Sequence, residues 1–214
     1  MNKDLSDYRK SYDKSELLLT NVPENPFLLF QKWFEIADNS NLIEEANAMT
    51  IATIGKDGFP KSRVVLLKKY SEDGFIFYTN YDSEKGKAIE NNNNVCISFF
   101  WPSLEKQIII KGKVSKVSQQ ISENYFKSRP KGSQLGAIVS NQSEEVTRQE
   151  LKDKLRALEL EYESKPIPKP INWGGYIIKP VEIEFWQGRP NRLHDRIHYK
   201  LENESEWNTK RLSP

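Results

Sequence analysis

The 214-residue chain has one cysteine, Cys96, and only two histidines and two methionines. A single cysteine excludes an intramolecular disulfide and any multi-cysteine metal site, and it suits a reducing compartment. No apolar run approaches the ~20 residues that a spanning helix needs, and residues 1–14 are too charged for a secretory signal. These absences lead us to expect a soluble cytoplasmic protein with no metal and no membrane partner. An excess of one charge is missing too. The 32 Lys+Arg against 30 Asp+Glu leave a net +2, short of the basic balance of a dedicated nucleic-acid binder. With 37% hydrophobic residues, the chain can bury one substantial core. We read residues 1–24 as a mobile N-terminal segment and 25–214 as a single domain.

What positive charge there is gathers locally. The stretch Trp186-Gln187-Gly188-Arg189-Pro190-Asn191-Arg192-Leu193-His194-Asp195-Arg196 packs an indole, three guanidiniums and a histidine into one short span. If the part after Pro190 is extended, Arg192, His194, Arg196 and His198 share one face while Leu193, Asp195 and Ile197 take the other. Arginine forks match phosphate oxygens in bidentate geometry, and histidine exchanges protons near neutral pH. The plainer alternative is a solvated basic edge strand.

Asn25-Pro26 is an N-cap followed by proline at the first helical position, and Phe27, Phe30, Phe34 and Ala37 recur at core-facing spacing to about Ala37. Strands follow over Met49–Ile54, Ser62–Lys69 and Phe75–Asn80, which read as an antiparallel meander. Asp82-Ser83 caps a short helix to about Glu90, and Val95–Trp101 and Gln107–Val117 resume as strands. Helices are predicted over Gln119–Lys127 and Lys131–Val139. Thr147 to Glu150 has capping-box spacing before a stripe of Leu151, Leu155, Leu158 and Tyr162. Pro166, Pro168 and Pro170 form a stiff connector. Strands over Gly175–Gln187, Arg192–Leu201 and Trp207–Leu212 close the chain. So long an antiparallel sheet tends to close into a barrel and remove its edges.

Three further segments carry candidate chemistry. Arg63-Val64-Val65-Leu66-Leu67-Lys68 is an apolar strand bracketed by cations, which we read as buried, with its end charges reaching water or an anion. Tyr78-Thr79-Asn80 runs into Ser83 and Lys85 at a helix start, where free amides and the helix dipole favour phosphate. Tyr125, Arg129 and Ser133 are spaced by four, and offer a phenol, a guanidinium and a hydroxyl to a phosphomonoester, although Pro130 must distort the helix between them.

Together these motifs resemble the pyridoxine/pyridoxamine 5'-phosphate oxidase family, from Arg9-Lys10-Ser11-Tyr12 to Arg211-Leu212-Ser213-Pro214. The most specific matches are Arg63 to Lys68, Phe77 to Asn80, Tyr125 to Pro130, and Phe185 to Gly188 leading into Asn191 to Arg196. The resemblance implies an α+β fold, mainly β with flanking helices: an antiparallel split β-barrel of the FMN-binding type, paired as a homodimer with FMN at the interface. It implies that Arg63, Val64, Val65, Leu66, Leu67, Lys68, Tyr78, Thr79, Lys85 and Gln107 hold FMN from one subunit. Gln142, Ser143, Trp186 and Arg196 complete the site from the other. Lys68, Tyr125, Arg129 and Ser133 would grip the substrate phosphate, with Arg192, Leu193 and His194 at the pyridine ring and Arg192 and His194 catalytic. Arg9 and Tyr12 would lie on a segment covering the occupied site.

One position departs from the family. Where relatives often carry a basic residue beside Lys85, this chain has Glu84, and a carboxylate cannot ligate a phosphate dianion favourably. The implied reaction is hydride removal from C4' of pyridoxamine or pyridoxine 5'-phosphate, with dioxygen as final acceptor. Two rivals remain open: a flavin-reductase-like or haem-associated split barrel with another ligand, and a module that stacks nucleic acid on its tryptophans.

Overall fold

In a computed structural model describing residues 2–140, 143, 145–203 and 205–214, helix α1 spans Pro26–Asp38, and the Asn25 side chain accepts the Phe27 N–H as its cap. Its inward face carries Phe27, Phe30, Trp33 and Ala37, with Phe34 only half-buried. Strands β1 (Ala48–Ile54), β2 (Pro60–Leu66), β3 (Lys69–Ser71) and β4 (Gly74–Asn80) precede helix α2 (Glu84–Asn91). Strands β5 (Asn94–Trp101) and β6 (Lys106–Lys116) lead to α3 (Gln119–Ser128), α4 (Lys131–Val139) and α5 (Arg148–Glu161). The long β7 (Trp173–Gln187), β8 (Asp195–Leu201) and β9 (Trp207–Leu212) complete the order. Among the described residues no helix is long and apolar enough to cross a membrane.

The strands pair in the order β2-β1-β5-β6-β7-β4-β3, with β8 on β7 and β9 on β8. The expected meander therefore holds for the neighbours β1 and β2 and fails at its third strand. Strand β4 pairs with β7, Phe75 opposite Ile178 through Asn80 opposite Trp173, and on its other edge with β3, Lys69 opposite Ile76. Strand β7 changes partner along its length: residues 173–178 face β4, and Glu182–Gln187 face β8. Pro180, which has no N–H to donate, lies between the two ladders.

Two compact units emerge, each assembled from separated segments: residues 1–49, 97–111 and 180–214 in one, residues 50–96 and 112–179 in the other. The first packs Phe30 edge-on to Phe99 at 5.4 Å and Trp33 to Phe185 at 5.3 Å, all buried. Such rings contribute large buried areas and a preferred geometry. The second centres on Phe126, Leu135, Ile167 and Trp173, against which Leu155, Leu158 and Tyr162 pack. The α5 stripe is thus correctly phased but only half-buried, since that helix lies on the surface. The proline connector falls inside this second unit and contributes Ile167 to its core.

The reading of residues 63–68 as buried is also corrected. Strand β2 ends the pairing order, so Val64 is 70% exposed, Arg63 and Lys68 are exposed, Val65 and Leu66 are intermediate, and only Leu67 is buried.

Candidate functional site

In the second unit, the start of α2 forms a cationic cradle. Ser83 caps the helix, its Oγ accepting the Gly86 N–H at 3.2 Å. Lys85 is buried, and its Nζ donates to Thr79 Oγ1 at 3.0 Å and to Ser83 Oγ at 3.4 Å. Burial pushes its pKa down, as does the Arg63 charge. Among the described residues Lys85 has no carboxylate in ion-pair range, so an ammonium sits among hydroxyls beside a helix N-terminus. Such an arrangement suits an anion. Glu84 points its charge elsewhere. Its carboxylate accepts from Lys61 at 2.6 Å and from Arg63 at 2.9 Å, and these cations, Lys61 first, hold it below the ordinary carboxylate range. Ser143 lies beside this helix start, its Oγ accepting the Glu84 N–H at 3.4 Å. Gln142 lies outside the described residues.

A second cationic pocket lies where α3 gives way to α4. Arg129 is extended at the C-cap of α3, and Pro130 precedes α4. The continuous helix that would align Tyr125, Arg129 and Ser133 is therefore absent. The break nonetheless brings Arg129 and Ser133 onto one cavity of about 240 Å³, shared with Asn80 and Trp173. The guanidinium lies 4.8 Å from the Trp173 ring centre, burial lowers its pKa, and its Nη1 is buried without a hydrogen-bond partner. A buried unpaired guanidinium N–H is costly unless a ligand satisfies it. Tyr125 stacks on Tyr78 at 3.8 Å, and burial raises both phenols' pKa values. The exposed Lys68 donates its backbone N–H to the Ile76 carbonyl at 2.8 Å.

The first unit holds the remaining candidates. Residues 190–192 form a 3-10 turn, and Asn191 and Arg192 take positive φ of 56° and 62°. The expectation of a strand from Arg192 is thus wrong, since the chain becomes extended only at Asp195. Two successive left-handed residues store strain, and arginine at such a position invites a functional reason. The turn sets Arg192, His194, Trp186, Arg9 and Tyr12 around a cavity of about 780 Å³. His194 Nδ1 accepts the Arg189 N–H at 3.1 Å, which leaves Nε2 to carry the proton of the neutral ring. Burial first, then the Arg192 charge, lowers its pKa. Trp186 lies 4.7 Å from that imidazole, and Leu193 is 66% exposed.

The four-member cationic face does not form. Arg196 and His198 do alternate with buried Asp195, Ile197 and Tyr199, but acidic side chains of β7 meet them. Glu184 takes Arg196 in a bidentate pair at 2.8 and 2.9 Å, and Glu182 approaches His198 at 3.4 Å. Gln107 is half-buried on β6. Sequence reasoning missed the buried polar residues Glu105, Lys106 and Gln187. Lys106 bonds Gln187 and lies 4.1 Å from the Trp33 ring centre, and burial pushes its pKa down to about 8. Asp195 was also missed; it binds the Leu17 N–H at 3.0 Å and Arg211 at 2.5 Å. No local pattern announces such residues, because their partners are remote in the chain.

Comparison with known proteins fits this geometry. Residues 38–163 match the family model "Pyridoxamine 5'-phosphate oxidase", and residues 173–214 match "Pyridoxine 5'-phosphate oxidase C-terminal dimerisation region". A pyridoxine/pyridoxamine 5'-phosphate oxidase of Flavobacterium psychrophilum is 63% identical over 99% of this chain and 100% of its own length. One from Leptospira interrogans is 46% identical over 100% of both. Among solved structures, PhzG from Burkholderia lata, in complex with tetrahydrophenazine-1-carboxylic acid, superposes with a TM-score of 0.85 at 27% identity, covering 94% of this chain and all of that one. A pyridoxamine 5'-phosphate oxidase-related, FMN binding protein from Nostoc punctiforme gives 0.71 at 17% identity over 89% of this chain and 98% of its own, a likeness of fold. The fold is the mainly antiparallel split barrel with flanking helices, and the chain belongs to the pyridoxine/pyridoxamine 5'-phosphate oxidase family of oxidoreductases.

Proposed function

We propose that the chain is an FMN-dependent oxidase of pyridoxamine 5'-phosphate and pyridoxine 5'-phosphate, yielding pyridoxal 5'-phosphate in vitamin B6 biosynthesis and salvage. The observation that carries this reading is Arg129: a half-buried side chain whose buried Nη1 lacks a hydrogen-bond partner, beside Ser133 and an aromatic wall. It wants an oxyanion next to a flat ring, and a phosphorylated pyridine supplies both. The α2 cradle gives a second phosphate its place, at Lys85, Ser83 and Thr79, with Arg63 adjoining. The residues present therefore fit FMN.

FMN, when bound, supplies the acceptor for the C4' hydride and returns the electrons to dioxygen as hydrogen peroxide, with ammonia released from the amine substrate. The protein's work is positioning. Arg63 to Lys68, Tyr78, Thr79, Lys85 and Gln107 hold the cofactor from one chain, joined by Ser143 beside the α2 start of that chain, and Gln142, Trp186 and Arg196 complete the site from the second chain of a homodimer. The match to a dimerisation region and the exposed Val64 on β2 support that pairing. Arg129, Ser133, Tyr125 and Lys68 anchor the substrate phosphate, so binding energy at a remote point orients the reacting carbon. Arg192, Leu193 and His194 meet the pyridine ring. Neutral His194, its Nδ1 occupied by the Arg189 N–H, offers an Nε2–H donor, and Arg192 offers guanidinium N–H donors to the polar groups of the same ring. Arg9 and Tyr12 cover the pocket.

The test is stoichiometry. Purified protein given pyridoxamine 5'-phosphate in air should release hydrogen peroxide, ammonia and pyridoxal 5'-phosphate in equal amounts. Oxidation of tetrahydrophenazine-1-carboxylic acid, the molecule bound in that structural relative, in preference to the vitamer would contradict this reading.

A further inference from the structure

Glu105 stands outside everything assigned above. It lies in the turn between β5 and β6, is 1% exposed, and takes a left-handed backbone with φ 57°. Its Oε2 accepts two successive backbone N–H groups of the N-terminal segment, Asp13 at 2.9 Å and Lys14 at 3.1 Å. Its Oε1 is buried without a hydrogen bond, 3.6 Å from the Lys10 ammonium. Lys14 Nζ donates to the Ser103 carbonyl in the same turn at 2.5 Å. On its other side, the Glu105 carbonyl accepts the Gly188 N–H at 2.8 Å and the Gln187 side-chain amide at 3.1 Å. One residue thus grips the N-terminal strap with its side chain and the end of β7, which carries Trp186, with its backbone.

The strap so held delivers Tyr12. Its ring lies 5.8 Å from Trp186 and 5.7 Å from His194, edge-on to both. A Cβ at position 188 would fall 2.8 Å from Tyr12 Cβ, so this close approach depends on glycine. A buried carboxylate is costly without donors, and here the strap supplies them. Closing the strap and satisfying the carboxylate are therefore one event.

We infer that Glu105 is a positioning residue that anchors the strap of residues 10–14 so that Tyr12 stands over the Trp186–His194 cavity. The inference rests on the proposed function in taking that cavity as the place of the substrate ring.

The experiment compares wild type, Glu105→Ala, Glu105→Gln, Tyr12→Ala and the Tyr12→Ala/Glu105→Ala double variant as holoenzymes, by amide hydrogen exchange and steady-state kinetics. Losing hydrogen bonds to a charged acceptor should speed exchange across residues 10–14 by about tenfold or more in Glu105→Ala. Glu105→Gln, which keeps the shape and an acceptor oxygen, should lie between the two and serves if the alanine variant folds poorly. In Glu105→Ala the KM for pyridoxamine 5'-phosphate should rise by about fivefold to twentyfold, with kcat within about twofold. In the Tyr12→Ala background the same change should add less than about twofold, because the route through Tyr12 is already gone. Wild-type exchange rates over residues 10–14 in both Glu105 variants, or a full KM penalty in the Tyr12→Ala background, would overturn the inference. An enzyme that never oxidises the vitamer would sink the proposed function, while the exchange measurement still tests the anchor.

Discussion

At the scale of single residues the proposed function rests on Arg129 and His194. Replacing Arg129 with alanine removes the charged donor proposed to hold the substrate phosphate. The KM should rise about tenfold to hundredfold with a smaller change in kcat, as checked by initial rates across substrate concentration. His194 sits below the ordinary imidazole range because of burial and Arg192, so the folded chain resists protonating it. Between that lowered value and about 6.5 the unfolded chain binds more protons, so this group's share of stability is complete above about 6.5 and declines as pH falls through the window. The acid limb of kcat/KM should lie in the same window and vanish in His194→Ala. Arg192→Leu and His194→Ala should each lower turnover well beyond twofold; turnover within about twofold of wild type would refute their catalytic assignment. Glu84 keeps Arg63 and Lys61 occupied next to a phosphate cradle, so Glu84→Gln should tighten FMN binding to the apoprotein, read by quenching of flavin fluorescence.

Among the elements, helix caps were the most legible in the sequence. Asn25-Pro26, Ser83 and the Thr147–Glu150 box all sit where their side chains predicted, because a cap is a bond between residues two or three apart. Thr147→Ala should therefore cost about 1 kcal/mol of stability, measured by urea unfolding. The helix α2 cradle depends on Gly86, where a Cβ would meet the Tyr81 carbonyl oxygen at 2.0 Å. Gly86→Ala should displace the helix start and weaken both stability and FMN binding, and wild-type flavin affinity in that variant would deny the cradle its role. Strand pairing was poorly legible. The apolar run at 64–67 reads as buried, yet β2 ends the pairing order, and nothing in the alternation of residues says which strand lies beside which. The site residues were legible as motifs, but their environments were not. The glutamates that neutralise Arg196 and approach His198 come from β7, and the positive φ values at Asn191 and Arg192 leave no mark in composition.

For the whole molecule, the proposed site joins two candidate phosphate positions, the α2 cradle and the Arg129 cavity, with a ring pocket at Trp186 and His194 in a dimer. Sedimentation should give twice the chain mass of 25.0 kDa, and a monomer that retains full flavin and activity would contradict the shared site. The most direct measurement is an absorbance spectrum of the purified protein before and after anaerobic addition of pyridoxamine 5'-phosphate. The expected result is an oxidised flavin spectrum that bleaches on addition and returns with air. A colourless protein that cannot be reconstituted with FMN, or a flavin that stays oxidised in the presence of the vitamer, would contradict it.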